Sequence, residues 1–501
     1  MSDSALRVLF ATAECAPLVK VGGLGDVSAA LPRALREQGV DVRVLLPGYP
    51  AVMDAIRAQG PGQVRSIAGA GDAAAACLVG AELPGGVPLI AIDEPSLFNR
   101  PGGPYQDPQG IDWPDSPQRF GLLSKAAAVL AGDASPLAWR PDVLHCNDWH
   151  AALAPAFLRY AVHKARACAT VQTVHNLAYQ GSFAREWVSR LGLPASSYAP
   201  EGVEFYGRMS FLKAGLQFAD AITTVSPTYA REILTPRQGC GLDGLLRARE
   251  RVLSGILNGI DTTVWDPAQD PLIAQRYDRM SLEAKSVNKA ALQASMGLDP
   301  LPGVPLLAVI SRLVAQKGID LVADIGARVT RLPAQLVVLG SGDGALEQRL
   351  LDLAASHDGF IAVRIGHDET LAHRIEAGAD ALLMPSRFEP CGMNQMYSQR
   401  YATLPIVHAT GGLADTVVDC TPQSLAAGTA TGFAFGEASA AALFRAVDRA
   451  VHAWRDPALW RVLQANALAR DFGWGGAARR YRDVYAAAME ASSSARGTMR
   501  E

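Results

Sequence analysis

The chain predicts two α/β domains of similar size, each a doubly wound parallel sheet with helices on both faces. Three observations lead there. Its 501 residues exceed what one hydrophobic core organises, which stops growing near ~250–300 residues. Short aliphatic, β-branched runs alternate with longer helical segments, the signature of parallel strands joined by helical crossovers. The alternation also breaks at Arg251–Pro267 and then restarts.

In order, the first half supplies candidate strands at Leu6–Ala11, Val40–Leu46, Val87–Ile92, Val143–Cys146, Thr170–Val174 and Ala221–Val225. The second half supplies Leu306–Ile310, Leu336–Leu339, Ile361–Ile365, Ala381–Met384, Pro405–Val407 and Gly432–Phe435. Residues 1–253 form the first domain, 254–475 the second, and 476–501 a terminal helix and tail that can pack back on the first. The Ala73–Ala76 tract reads as a loose loop and Ser492–Ser494 as a frayed tail.

Composition narrows the function. With 49% apolar and 19% charged residues the chain is globular, and 46 basic against 49 acidic residues, with no long basic run, argue against nucleic acid as a partner. Seven scattered cysteines without a Cys-x-x-Cys pair support neither a disulfide framework nor a thiolate zinc site, which fits a reducing cytoplasm. No apolar stretch reaches the ~18–20 residues of a membrane-spanning helix. The first apolar stretch carries Arg7 and runs into Glu14, so it reads as a strand and not as a signal peptide.

Chemistry-bearing residues follow the strands. Lys20-Val-Gly-Gly-Leu-Gly-Asp26 lies between the first strand and a helix expected to open near Asp26, where glycines let backbone approach an anion. A tight turn packed on the sheet explains those glycines equally well; Lys20 tips the balance toward phosphate. Asp148, after the fourth strand, and His175, after the fifth, stand where clefts of parallel sheets open, whereas His150 reads as a satisfied structural residue. In the second half, Arg312 and Lys317 occupy the turn after its first strand and suit a diphosphate. Glu389, ahead of Cys391 and Gly392, faces a sugar hydroxyl or a developing positive charge, with helix capping as its competing role. A second glycine turn, Thr410-Gly411-Gly412, precedes another helix. No Asp-x-Asp pair occurs, so neither a metal nor any other cofactor is expected.

Together these segments resemble the bacterial glycogen synthase and plant starch synthase family. The resemblance is carried by KVGGLGDV at 20–27, HCNDWHAAL at 145–153, TVHNLAYQG at 173–181, LNGID at 257–261, SRLVAQKG at 311–318, PSRFEPCG at 385–392 and TGGLADTV at 410–417. It implies two Rossmann-like domains facing a deep cleft (GT-B). It also implies transfer of glucose from ADP-glucose to the nonreducing 4-hydroxyl of an α-1,4-glucan such as glycogen, with retention of configuration. On that resemblance Lys20, Gly22 and Gly23 contact the donor and Asp26 supports their turn. Asp148 and His175 lie near the transferred glucose, Arg312 and Lys317 stabilise the departing diphosphate, and Glu389 binds the sugar. The backbone of Cys391, Gly392 and Met393 faces phosphate and glucose, and Asn258 sits near the cleft. Tyr105, Asp115 and Arg119 match a stretch linked with acceptor binding.

Departures from the family pattern are specific. Met393-Asn394 replaces the usual Leu-Thr, and His367 stands where many bacterial relatives place a tyrosine against the nucleotide base. Tyr397 occupies the second position of the superfamily's Glu-x7-Glu pair. Three other readings compete: a related transferase using UDP-glucose or making another α-glucan, an NAD-dependent oxidoreductase, and a catalytically silent glucan-binding protein. The oxidoreductase is disfavoured by Ser28 at the third glycine position of the dinucleotide fingerprint, and the silent protein by its phosphate-facing cations.

Overall fold

The computed structural model describes residues 5–60, 62–71, 75–160 and 168–497, with side chains to residue 494 in the last segment. Aliphatic runs buried on both faces become the central strands. The first sheet contains β1 (Arg7–Ala11), β2 (Asp41–Pro47), β3 (Val64–Ile67), β4 (Ala76–Leu83), β5 (Val87–Asp93), β6 (Val143–Asn147) and β7 (Ala169–Val174). After a small antiparallel sheet of β8 (Ser182–Phe183), β9 (Glu204–Phe205) and β10 (Arg208–Ser210), the chain returns to it with β11 (Ala221–Thr224) and β12 (Leu253–Gly255). The spatial order is β12-β11-β7-β6-β1-β2-β5-β4-β3.

The strand-and-helix alternation predicts a wholly parallel sheet, and this one departs from it. The pairs β3–β4 and β4–β5 run antiparallel and add a hairpin to one edge. The expected loop Ala73–Ala76 falls partly there: Ala73 and Ala74 lie outside the described residues, and Ala76 already opens β4.

The second sheet holds β13 (Leu306–Ile310), β14 (Gln335–Gly340), β15 (Ile361–Ile365), β16 (Ala381–Met384), β17 (Leu404–His408) and β18 (Phe433–Phe435) in the order β15-β14-β13-β16-β17-β18. All its pairings are parallel, with Leu336 beside Ile361 and Ile406 beside Phe433. Lys285 is buried beneath this domain's helices. Its ammonium donates to the carbonyls of Glu376 and Ala377 and to Thr403 Oγ1, a cation on the last carbonyls of the helix Glu369–Gly378.

Contacts divide the chain into one compact unit of residues 1–225, 230–259 and 474–501, and another of 226–229 and 260–473. The terminal helix Trp474–Gly497 packs in the first unit, where Trp474, Ala478, Tyr481 and Tyr485 join the core. Ser492–Ser494 continue this helix and are not a frayed tail: the hydroxyls of Ser493 and Ser494 donate to the carbonyls of Met489 and Glu490 one turn back.

His145 anchors that helix. Its Nε2 lies 2.6 Å from Thr173 Oγ1 and its Nδ1 2.8 Å from Tyr485 Oη, while burial pushes its pKa down to about 3. A neutral ring offers one donor and one acceptor, and both are used. Replacing Tyr485 with phenylalanine should therefore cost about 1–3 kcal/mol, the penalty for one unpaired buried group. Chemical denaturation checks this, and an unchanged midpoint would show that His145 finds another partner.

Candidate active site

The first unit's candidate residues stand at the ends of β1, β6 and β7. After β1 the chain turns at Thr12–Gly22 and enters the helix Gly23–Glu37, three residues before the expected start at Asp26. Glu14 shapes this turn. It is 3% exposed, its Oε2 accepts from the amides of Val21 at 2.7 Å and Gly22 at 3.1 Å, and its Oε1 accepts from Tyr105 Oη at 2.5 Å. Burial raises its pKa against the opposing pull of those three donors.

Two consequences follow for the glycine turn. The Gly22 amide is already engaged, which leaves the helix-opening backbone at Gly23 and the Lys20 side chain to meet an anion. Gly22 is extended, a backbone open to any residue, and a methyl group built on it meets nothing within 4 Å. The protein's own packing therefore does not demand glycine there, and the space suits a close approach by a ligand. Lys20 Nζ lies 2.9 Å from Asp26 Oδ1, so Asp26 holds the cation at the mouth of the turn.

Asp148 follows β6 in a left-handed conformation (φ 53°), a strained backbone for a side-chain-bearing residue. Its Oδ1 accepts from the amides of His175 at 3.0 Å and Asn176 at 3.4 Å. Burial nevertheless pushes its pKa up to about 7. His175 Nε2 lies 3.0 Å from Asn147 Oδ1, and burial pushes the imidazole pKa down to about 3. Asp148 and His175 are thus one assembly. His150 stacks on Tyr105 with ring centroids 4.8 Å apart, as a packing residue, but it is not satisfied as expected: its Nδ1 is buried without a partner among the described residues.

Tyr105, Asp115 and Arg119, expected at the acceptor, mostly serve the protein itself. The Tyr105 phenol is spent on Glu14, and Asp115 grips Arg100 through both oxygens, at 2.5 and 3.2 Å. Arg119 is 1% exposed and donates to the carbonyls of Leu97 and Pro104. A guanidinium with no surface touches no glucan; it pins the 97–105 loop from beneath. Asn258, at the end of the first unit, is buried, and its Oδ1 has no partner among the described residues.

In the second unit, two turns interlock. Gly318 (φ 68°) lies where a Cβ would stand 2.2 Å from the Pro385 carbonyl, so the Arg312–Lys317 turn packs directly on the Pro385–Pro390 loop. Lys317 Nζ lies 2.5 Å from Glu389 Oε2, which also accepts from Ser386 Oγ at 3.0 Å. The cation expected at the diphosphate and the acid expected at the sugar neutralise each other here, both largely buried. Arg312 is exposed, its backbone carbonyl accepts from Ser311 Oγ at 3.0 Å, and its guanidinium has no hydrogen bond or ion pair among the described residues.

Gly392 (φ 68°) continues the loop. The Gln395 amide donates to the carbonyls of Cys391 and Gly392 and holds the turn in place. Asn394, in place of the family's threonine, donates to the Ile310 carbonyl at 2.7 Å and ties the loop to the end of β13. Met393 precedes the helix Asn394–Arg400 without a side-chain cap, and its sulfur accepts from Tyr397 Oη at 3.8 Å. Tyr397 stacks on Trp265 at 3.9 Å, and Trp265 stacks equally on His373, so the second acid of the superfamily pair is replaced by an aromatic packing residue. His367 lies after β15 with its side chain 85% exposed and Nε2 3.8 Å from Glu369 Oε2, which leaves the ring face open. The described residues contain no group of three or more His, Cys, Asp or Glu placed to hold a metal ion.

Comparison with known proteins agrees with this architecture. Residues 7–248 match the family described as starch synthase catalytic domain, and residues 300–462 match glycosyl transferases group 1. The glycogen synthase of Nitrosospira multiformis is 54% identical over 484 residues, 96% of this chain and 97% of that protein. That of Aromatoleum aromaticum is 55% identical over 490 residues, 98% of each. A solved catalytic domain of starch synthase IV from Arabidopsis thaliana, bound to ADP and acarbose, superposes with a TM-score of 0.85 at 31% identity, covering 97% of this chain and 100% of that one. A sucrose-phosphate synthase from Thermosynechococcus elongatus, at 18% identity and a TM-score of 0.57, shares the fold.

Fold and matched domains define a retaining hexosyltransferase with the two-domain GT-B architecture. Within that class, the chain belongs to the glycogen synthase and starch synthase family.

Asp148 supplies a pH test. A carboxyl whose pKa rises from 3.8 to about 7 on folding costs no stability while protonated, below about pH 3.8. The cost grows between pH 3.8 and 7, as the unfolded state ionises first, and is complete above 7. An asparagine side chain at this position would keep the acceptor for both amides and tolerates the left-handed backbone. Asp148→Asn should therefore match the parent's unfolding free energy near pH 4 and exceed it at pH 8, by about 1–4 kcal/mol. A variant destabilised equally at both pH values would contradict the raised pKa.

Proposed function

We propose that the protein is a glycogen synthase, transferring glucose from ADP-glucose to the nonreducing 4-hydroxyl of an α-1,4-glucan with retention of configuration. The observation that carries this reading is the second unit's Lys317–Glu389 pair with exposed Arg312 beside it: opposite charges a few ångströms apart in a family of glucosyl transferases. The starch synthase IV neighbour, bound to ADP and the oligosaccharide acarbose, supports an adenine nucleotide and an α-glucan as ligands. The seven cysteines are free thiols, which suits a reducing cytoplasm.

The chemistry needs what these residues offer. As the bond between the anomeric carbon and the diphosphate oxygen breaks, its electron pair moves to that oxygen and positive charge grows on the sugar. Arg312 and Lys317 stabilise the leaving diphosphate, with Lys20 and the backbone at Gly23 and Gly392–Met393 as further donors. Asp148, whose Oδ2 has no partner among the described residues, and Glu389 face the sugar. Diphosphate binding draws Lys317 off Glu389 and frees the carboxylate for a glucose hydroxyl. The acceptor 4-hydroxyl then attacks the face the diphosphate leaves and passes its proton to the departing oxygen, which releases ADP and preserves the configuration.

A UDP-glucose reading stays attached to one residue, His367, whose ring presents less surface to adenine than the tyrosine of many relatives. Purified protein with glycogen and either donor, in excess EDTA, tests both. Nucleotide release and glucan growth should favour ADP-glucose without added metal. His367→Tyr should keep or raise the ADP-glucose to UDP-glucose ratio of kcat/KM, and His367→Ala should lower it. A parent enzyme that prefers UDP-glucose, or that works only after magnesium or manganese is restored, would overturn the assignment.

A further inference from the structure

We infer that Asn147 is a positioning residue that locks His175 in the Nε2–H tautomer and leaves the Nδ1 lone pair as the acceptor offered to the transferred sugar. The sugar is the part that rests on the proposed function; the lock rests on geometry alone.

Hydrogen-bond direction fixes the tautomer. Ala11 O is a backbone carbonyl at the end of β1 and can only accept, so the Asn147 atom 3.2 Å from it is the amide nitrogen. That turns Asn147 Oδ1 toward His175. Because Oδ1 also only accepts, the His175 nitrogen 3.0 Å away must carry the proton. Asn147 is 0% exposed, and register fixes it: Ala11 pairs with Cys146, the residue before it, so the carbonyl and the carboxamide cannot slide apart. His175 Nδ1 has no partner among the described residues and is not among the buried unpaired atoms, so it opens toward solvent.

The surroundings keep the ring neutral. Burial lowers its pKa, and the titratable groups around it are Asp148, whose carboxyl accepts from the His175 amide and not from the ring, and the buried, neutral imidazoles of His145 and His150. Glu14 lies farther off, acting on Asp148. A neutral acceptor suits the reaction: an imidazolium beside a sugar gaining positive charge would raise the barrier, whereas a lone pair accepts a sugar hydroxyl without opposing that charge.

Nitrogen NMR of the full chain, labelled with 15N in histidine, reads the lock without any substrate. The His175 signals are identified by their loss in His175→Gln. We expect one protonated-type nitrogen and one lone-pair-type nitrogen, unchanged from about pH 5 to 9, with the proton on Nε2. In Asn147→Asp the added carboxylate should make His175 titrate between about pH 5 and 8, and kcat/KM should fall about tenfold as the ring protonates, with the same midpoint. Asn147→Ser, which cannot reach both partners, should mix the two tautomers and lower kcat without a matching rise in KM. A parent His175 protonated on Nδ1, or titrating near about 6.5, overturns the inference, as does an Asn147→Asp enzyme with a flat pH profile. The NMR result does not depend on which nucleotide sugar is used, so failure of the donor assignment leaves it standing.

Discussion

Glu14 sits in the interior with two backbone amides and a phenol on its oxygens, and the form of the Lys20–Gly25 turn depends on it. A buried carboxyl is costly unless its oxygens are satisfied. Here the satisfaction comes from the segments that must be held: the turn ahead of the first helix and the loop bearing Tyr105. The loop is fixed a second time from beneath by Arg119, whose guanidinium binds two of its carbonyls. Two buried charged side chains thus organise two surface segments, and neither offers itself to a ligand.

The second unit solves a similar problem differently. Glu389 is held by Lys317 and Ser386, and the turns carrying them interlock through glycines whose neighbours leave no room for a Cβ. An ion pair of this kind gains little net stability, because desolvation offsets attraction. It does keep a cation and an acid in fixed places in the free protein. The first unit uses a hydrogen-bonded carboxyl, Asp148, whose raised pKa reflects the same desolvation without a cation beside it.

Much of the fold is legible in the sequence because parallel strands buried on both faces are continuous aliphatic runs, and every run read as a strand is one. The β3–β4 hairpin is not. β3 is mostly exposed and β4 lies next to an alanine tract, so neither shows a buried run. The two- and three-residue strands β8–β10 are too short to carry a period. Among the candidate site residues, those next to strand ends, such as Asp148, His175, Lys317 and Glu389, are singled out by position. Glu14 and Asn147 cannot, because their meaning lies in partners 91 and 136 residues away. Arg119 misleads for the complementary reason: an arginine in a polar stretch reads as surface, and only the rings of Tyr49, Phe98, Trp113 and Phe120 around it reveal its burial.

The buried Glu14 carboxyl shapes the turn proposed to receive the nucleotide sugar, and calorimetric titration of ADP tests this most directly. A glutamine side chain in place of Glu14 can accept from both amides and donate to the Tyr105 oxygen, whereas alanine can do neither. Glu14→Gln should therefore bind ADP within a few-fold of the parent, and Glu14→Ala should lose about tenfold or more in affinity, on the order of 1.4 kcal/mol, while its far-UV spectrum still shows a folded protein. A folded Glu14→Ala protein that binds ADP as tightly as the parent would contradict the account.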